Sequence, residues 1–282
     1  MSPLSVPRAM AGVASLDLIT YPCSEWGRGL RETVWAAHYL AERGVRVRQL
    51  RGTSFESSIS LLRERLAGPH RPDVVVCVGG DDLIVVALQA TAATGTPLGL
   101  LPVGPANRLA ATLGIPRHDA RAAADIVLAG NERRIDLGVI ESGAGATTPV
   151  SPRWFATAVH AGFGGAPTER YRRTWSRAGR PYPAARGTGS APRPFPLDMT
   201  CAGGTSVERI ETEGVLVSVG VNGGRRVDDG QLEIAPTGAA PRRTASVALR
   251  APGVGVVVDG AAVGQLPIAI RAVAAAQSVI VP

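Results

Sequence analysis

The chain contains no lysine; all thirty of its basic residues are arginine. A Walker A phosphate loop and the third-strand lysine of protein kinases are therefore excluded, as is Schiff-base chemistry with pyridoxal phosphate. Any phosphate must be held by backbone amides and guanidinium groups. Aromatic residues are scarce, at 4%. Proteins that read single-stranded nucleic acid interleave aromatic platforms with basic residues, so nucleic acid is not an expected partner. The formal net charge of +7 still favours anions in general. Cys23, Cys77 and Cys201 are far apart and give neither a zinc spacing nor a disulfide framework. Cys77, inside VVVCV, reads as a small buried hydrophobe. No apolar run reaches the roughly 18 residues of a membrane span. The stretch Met1 to Ala14 lacks the charged start and apolar centre of a secretory signal. A cytoplasmic protein is expected, with at most peripheral membrane contact.

The first half alternates strand and helix. Leu16 to Thr20, Val45 to Leu50, Asp73 to Val78 and Leu98 to Leu101 read as strands. Leu30 to Arg43, Phe55 to Ala67, Leu83 to Ala93, Asn107 to Leu113 and Asp119 to Leu128 read as helices, with Gly44 and Gly68–Pro69 as stops. This order implies a parallel sheet covered by helices on both faces. Beyond Gly130 the pattern becomes short strands separated by Gly, Pro and Asp turns, as in a β-sandwich or partly closed barrel. The expected organisation is an α/β nucleotide-binding domain over residues 1–130 and a β-rich, sandwich-like acceptor-binding domain over 131–282. Arg170 to Pro196 carries seven arginines and five prolines. It reads as an exposed loop or as a lid meeting an anionic lipid surface.

Two stretches carry the chemistry. In VVVCVGGDDL a buried strand runs into Gly79 and Gly80, then Asp81 and Asp82, then a helix. Glycines at positive φ let backbone amides face an anion, and a helix N-terminus adds partial positive charge. Ligands of open α/β sheets bind at such carboxyl ends of strands. The bland alternative is that Asp81 or Asp82 only caps the helix. In LLPVGPANRLA a strand ends at Pro102, and Gly104 leads to Asn107 near a helix start, where it could also be a simple cap. No GxGxxG with a distal acid follows the first strand, so a Rossmann oxidoreductase is not expected.

These paired stretches, GGDDL and LPVGPANRLAATLGIP, resemble the GGDGT and PxGTxNDFAxxLGIP motifs of the diacylglycerol-kinase catalytic domain, in a superfamily with sphingosine and NAD kinases. Further resemblances follow in order: Ile135 to Gly138 (IDLG), Ala158 to Gly164, Val219 to Gly223, Asp228 to Leu232 (DDGQL), Val258 to Gly260 and Val279 to Pro282. The resemblance implies transfer of a phosphoryl group from ATP, with Mg2+, to a hydroxyl of a hydrophobic or lipid-like acceptor, with an anionic membrane surface as a further partner. It implies that Asp81 organises the metal and that Gly79, Gly80 and Gly104 pass close to phosphates. It makes Asn107 a support for that loop, sets Thr53 near the nucleotide, and gives Asp136 and Asp259 catalytic roles.

Four positions depart from the family pattern. Asp82 stands for glycine, Leu83 for threonine, Arg108 for the aspartate of NDFA, and Ala261 for the glutamate of DGE. Asp82 and Arg108 exchange charge in opposite senses, so an ion pair from Arg108 to Asp82 or Asp81 is expected. The altered motifs keep open a second function class, a catalytically degenerate relative that binds a ligand or a partner protein.

Overall fold

The computed structural model describes residues 12–20, 28–104, 107–142, 153–162, 193–204, 206–219, 228–259 and 261–282, with backbone alone for Arg28, Phe55, Asp82, Ser142 and residues 261–263. The chain divides into two compact units. The first comprises residues 1–135 and 276–282, the second residues 136–275.

The first unit begins with β1 (Ser15–Thr20), α1 (Arg28–Ala41), β2 (Arg46–Arg51), α2 (Phe55–Ala67) and β3 (Val74–Gly79). It continues with α3 (Asp81–Thr91), β4 (Leu98–Pro102), α4 (Arg108–Thr112), α5 (Ala120–Ala129) and the start of β5 (Glu132–Ser142). Its strands lie in the order β2-β1-β3-β4, all parallel. Every residue of β3 is buried, which is why VVVCVG shows no polar alternation: a parallel strand is covered on both faces. One face packs Leu16, Leu18, Val74, Val76 and Val78 against Leu40 of α1 and Ala124 and Val127 of α5. On that side the Tyr39 hydroxyl donates to Asp125 Oδ1 at 2.6 Å. The helices α2 and α3 pack on each other. The capping box of α2, Ser54 with Ser57, fixes its start.

The second unit is antiparallel. It holds β6 (Arg153–Phe155), β7 (Ala158–Gly162), β8 (Phe195–Cys201), β9 (Glu208–Thr212), β10 (Gly214–Val219) and β11 (Leu232–Pro236). After these come β12 (Arg242–Thr244), β13 (Ser246–Arg250), β14 (Gly255–Val258), β15 (Ala261–Gln265) and most of β16 (Ile268–Ile280). One sheet runs β12-β11-β10-β7-β14-β15; in the other, β16, β13, β8 and β9 pair in turn. Val159, Val217, Ile234 and Val256 of the first sheet share a core with Leu197, Met199, Leu249 and Ile270 of the second. Two sheets over one core make the sandwich that the sequence pattern predicts. Gly138 on β5 is paired with Phe155, whose ring lies where a side chain would be: a Cβ at Gly138 would stand 2.0 Å from Phe155 Cζ.

The fold class agrees with the sequence reading. The expected division assigns the closing strand to the second domain, whereas residues 276–282 fall in the first unit. The cause is local bonding. Val279 pairs with Leu98 in parallel register, Gln277 Oε1 accepts from the Thr91 hydroxyl at 3.0 Å, and Gln277 Nε2 donates to Thr96 O at 2.9 Å. Most of Arg170 to Pro196, together with Phe163, Gly164, Asn222 and Gly223, lies outside the described residues.

Candidate functional site

In the first unit β3 and β4 are neighbours, with Gly79 opposite Pro102. Val103 N donates to Gly79 O at 3.1 Å, so the two glycine-bearing turns are joined at their base. Gly79 is closely packed: a Cβ there would stand 3.0 Å from Leu83 Cδ2, which would have to shift to admit it. Gly80 is the N-cap of α3 at φ −97°, ψ −172°. Neither glycine has the positive φ expected from sequence. The extended Gly80 aims its carbonyl into the first turn of α3, accepting from Leu83 N at 3.1 Å and Ile84 N at 3.3 Å. Gly104 does take positive φ, at 83°.

Asn107 precedes α4 but makes no side-chain cap to it. Its buried amide turns back, Nδ2 donating to Gly104 O at 2.9 Å and Val103 O at 3.3 Å. Its Oδ1 is buried and has no hydrogen-bond partner among the described residues. The capping role passes instead to Asp81, the first residue of α3. The Arg108 backbone N–H donates to Asp81 Oδ1 at 3.0 Å and Oδ2 at 3.1 Å. Arg108 Nε lies 3.4 Å from Oδ2, an ion pair with side chains 19% and 9% exposed. The expected pairing of Arg108 with an acid of the other loop is therefore present, and the acid is Asp81. Asp82 is the second residue of α3, with its side chain outside the description, and Leu83 is buried. Thr53 is exposed at the start of α2, its backbone N–H bonded to Ser57 Oγ at 2.9 Å; because β2, β1 and β3 are parallel, it leaves the sheet at the same carboxyl edge as Gly79 and Gly80.

The second unit holds the other two expected acids. Asp136 is buried. Its Oδ1 accepts from Ala275 N at 2.8 Å and its Oδ2 from Gly230 N. It thereby fastens the DDG turn to β16, where Ala275 has φ 51°. Asp259 has φ 44°, a left-handed conformation that is strained for a residue with a Cβ. Three donors hold it there: Thr157 Oγ1, Ala158 N at 2.8 Å and Ala156 N at 3.2 Å. Sequence reading missed Thr157, which carries no motif and matters only because β6 and β7 break at that point.

The family described as the diacylglycerol kinase catalytic domain matches residues 18–140, the stretch that contains both glycine turns and Asp136. A diacylglycerol kinase of Mycobacterium tuberculosis (strain CDC 1551 / Oshkosh) is 29% identical over 306 residues, covering 96% of each chain. Over this stretch the chain is similar to the diacylglycerol kinases. A crystal structure of a diacylglycerol kinase from Bacillus anthracis str. Sterne superposes with a TM-score of 0.71 at 16% identity, covering 97% of this chain and 98% of that one. Yeast NADH kinase complexed with NADH gives a TM-score of 0.63 at 12% identity, covering 100% and 88%. At these identities the structural likeness establishes the fold.

Within this chain the structure brings Gly79, Gly80, Asp81, Gly104 and Asn107 into one bonded cluster. Asp136 and Asp259 each anchor a separate turn of the second unit. Kinase homology usually implies a divalent metal. Both oxygens of Asp81 already accept from Arg108, and among the described residues no group of three or more His, Cys, Asp or Glu side chains could hold an ion. Among the described residues, the side chains around Asp81 do not make a protein-held magnesium site.

Proposed function

We propose that the protein is an ATP-dependent phosphotransferase that moves the γ-phosphoryl group to a hydroxyl of a lipid-like acceptor. The observation that carries this reading is the pair of glycine turns joined at their base, with Gly104 at positive φ and its carbonyl bonded by Asn107 Nδ2. The first-turn amides of α3 and the Gly104 turn would then face the phosphates, and the transferred group would be stabilised by positioning and charge.

Arg108 has a defined part in this reading. Its guanidinium is held by Asp81 at the turn that the phosphates approach, and it supplies positive charge there. Asp81 acts as a positioning residue for Arg108 and the start of α4. Asp136 and Asp259 hold turns in the second unit in the same manner, their oxygens engaged by backbone and hydroxyl donors. Transfer to a hydroxyl releases its proton, and a carboxylate oxygen that accepts one N–H, as each oxygen of Asp136 does, keeps a lone pair that can take it. Calorimetric titration with ATP, with and without magnesium, tests the reading. Saturable binding that weakens in Asn107→Ala is expected; no heat at millimolar ATP would refute it.

The engaged state of all three acids favours one second reading, a relative that has lost catalysis and keeps a ligand or protein partner. It predicts nucleotide binding or partner binding without phosphoryl transfer. A radiolabelled-ATP assay with diacylglycerol in mixed micelles separates the two, since product forms only under the first.

A further inference from the structure

The first unit has a second recess, at the opposite ends of its strands from the glycine turns. It is a pocket of about 440 Å3 at the N-terminal ends of β1, β2 and β3. Strand alternation explains its lining. Ser15 and Asp17 share one face of β1, and in parallel register they stand beside Arg46 and Arg48 of β2. Arg65 from α2 closes one side, Nε to Asp17 Oδ2 at 2.9 Å and Nη2 to Asp17 Oδ1 at 3.3 Å. Arg71 ties the rim to the turn before β4, donating to the Thr96 hydroxyl and to Thr94 O at 2.7 Å.

The charges are unevenly satisfied. Asp17 is buried and paired with Arg65. Asp73 Oδ2 accepts from Ser15 N at 2.8 Å, Ser15 Oγ at 3.0 Å and Ala14 N at 3.1 Å. Arg46 and Arg48 are exposed, and the side chain of neither has a hydrogen-bond or ion-pair partner among the described residues. Four arginines line the pocket against two aspartates that are already engaged. Two residues apart on a strand, the Arg46 and Arg48 side chains leave the backbone about 6.6 Å from one another, within reach of a single tetrahedral anion. Guanidinium forks match phosphate oxygens in pairs. The volume falls within the range of about 300–1,000 Å3 usual for small-ligand sites.

We propose that this pocket is a second binding site, separate from the glycine turns, for a phosphomonoester held by Arg46 and Arg48 against the Arg65–Asp17 wall. The dianionic group could be carried by a free sugar or polyol phosphate or by a lipid headgroup.

The test uses the full chain in phosphate-free, low-salt buffer. One arm is calorimetric titration with sn-glycerol 3-phosphate. The other is flotation with phosphatidylcholine vesicles doped with phosphatidate, against vesicles doped with phosphatidylserine, which lacks a monoester. Each arm compares the protein with Arg46→Gln/Arg48→Gln and with Arg117→Gln/Arg250→Gln, which removes equal charge at residues that do not line the pocket. All four positions are solvent-accessible, and circular dichroism checks folding. The pocket pair should weaken binding about tenfold or more, as expected for lost charge-assisted hydrogen bonds, and the control pair should not. Glycerol 3-phosphate binding identifies a free ligand; binding to phosphatidate vesicles alone identifies a headgroup. The proposal is overturned if neither probe binds, if the pocket variant binds as well as the starting protein, or if the control pair weakens binding equally.

Discussion

Asp81→Ala and Arg108→Ala should differ in cost, and the difference measures how the two glycine turns are held together. Asp81 accepts the Arg108 backbone N–H with both oxygens, at 3.0 and 3.1 Å, while the guanidinium contact is longer, at 3.4 Å. Removing the carboxylate leaves a part-buried N–H without its acceptor, about 1–3 kcal/mol, and strips Arg108 of its counter-charge. Together these amount to about 2–4 kcal/mol. Removing the Arg108 side chain keeps the backbone bonds. With that side chain 19% exposed, the loss of the pair is worth about 1 kcal/mol or less. Asp81→Asn keeps one acceptor oxygen and should fall between the two. Urea denaturation followed by circular dichroism gives the three midpoints. If Arg108→Ala costs as much as Asp81→Ala, the backbone cap does not hold the turns and the assignment of Asp81 as a positioning residue fails.

Gly138→Ala places a Cβ 2.0 Å from Phe155 Cζ and should destabilise by about 1–3 kcal/mol; a thermal melt that recovers with Phe155→Leu in the same chain would confirm the cause. Asp198 is held below the ordinary carboxylate range, first by its hydrogen bonds from Arg209, at 2.6 and 2.8 Å. Its folded value is depressed, so its contribution is present above the unfolded carboxylate pKa and is lost as pH falls through the folded one. Carbon-detected NMR titration should show the Asp198 midpoint rising in Arg209→Met; an unchanged midpoint would refute the pairing. Burial pushes the Cys201 thiol up, with Glu208 adding to the rise and Arg242 opposing it. Peptide-resolved iodoacetamide labelling at pH 8 should therefore be slower at Cys201 than at an exposed thiol and faster in Glu208→Gln, and equal rates in the two proteins would count against that cause.

Legibility followed burial. The strands β3 and β10 are almost wholly apolar, and both were readable from sequence to within a residue. Three strands were not. In β9, ERIET, exposed positions alternate with more buried ones and three of the five residues are charged, and β12 is the tripeptide RRT; both are edge strands, whose composition resembles a loop. The third, β15, is a small-residue run with Gly264 at φ 143°. Trp154 to Val159 reads as one strand, but Asp259 grips the backbone at Ala156 and Ala158. That grip turns the chain so that β6 and β7 belong to different sheets. Conversely, Ile268 to Val273 and Ser278 to Val281 read as two strands and form the single β16. The alanine-rich stretch between them carries the left-handed Ala275, whose partner, Asp136, is far away in sequence. At the candidate site, the glycines and Asn107 were visible as motifs. The Asn107 Oδ1 left unpaired among the described residues and the transfer of the cap to Asp81 depend on side-chain direction, which no spacing encodes.

The return of residues 276–282 to the first unit makes the second unit an insertion within the first. During vectorial synthesis the first four parallel strands emerge early, yet the strand that pairs with β4 is translated only after the whole sandwich. Until Gln277 reaches Thr91 and Thr96 and Val281 N reaches Asn131 O at 2.8 Å, the β4 edge stays open to other strands. A nascent chain stalled before residue 276 is thus the aggregation-prone species, and completion of the early-made unit is tied kinetically to completion of the late-made one.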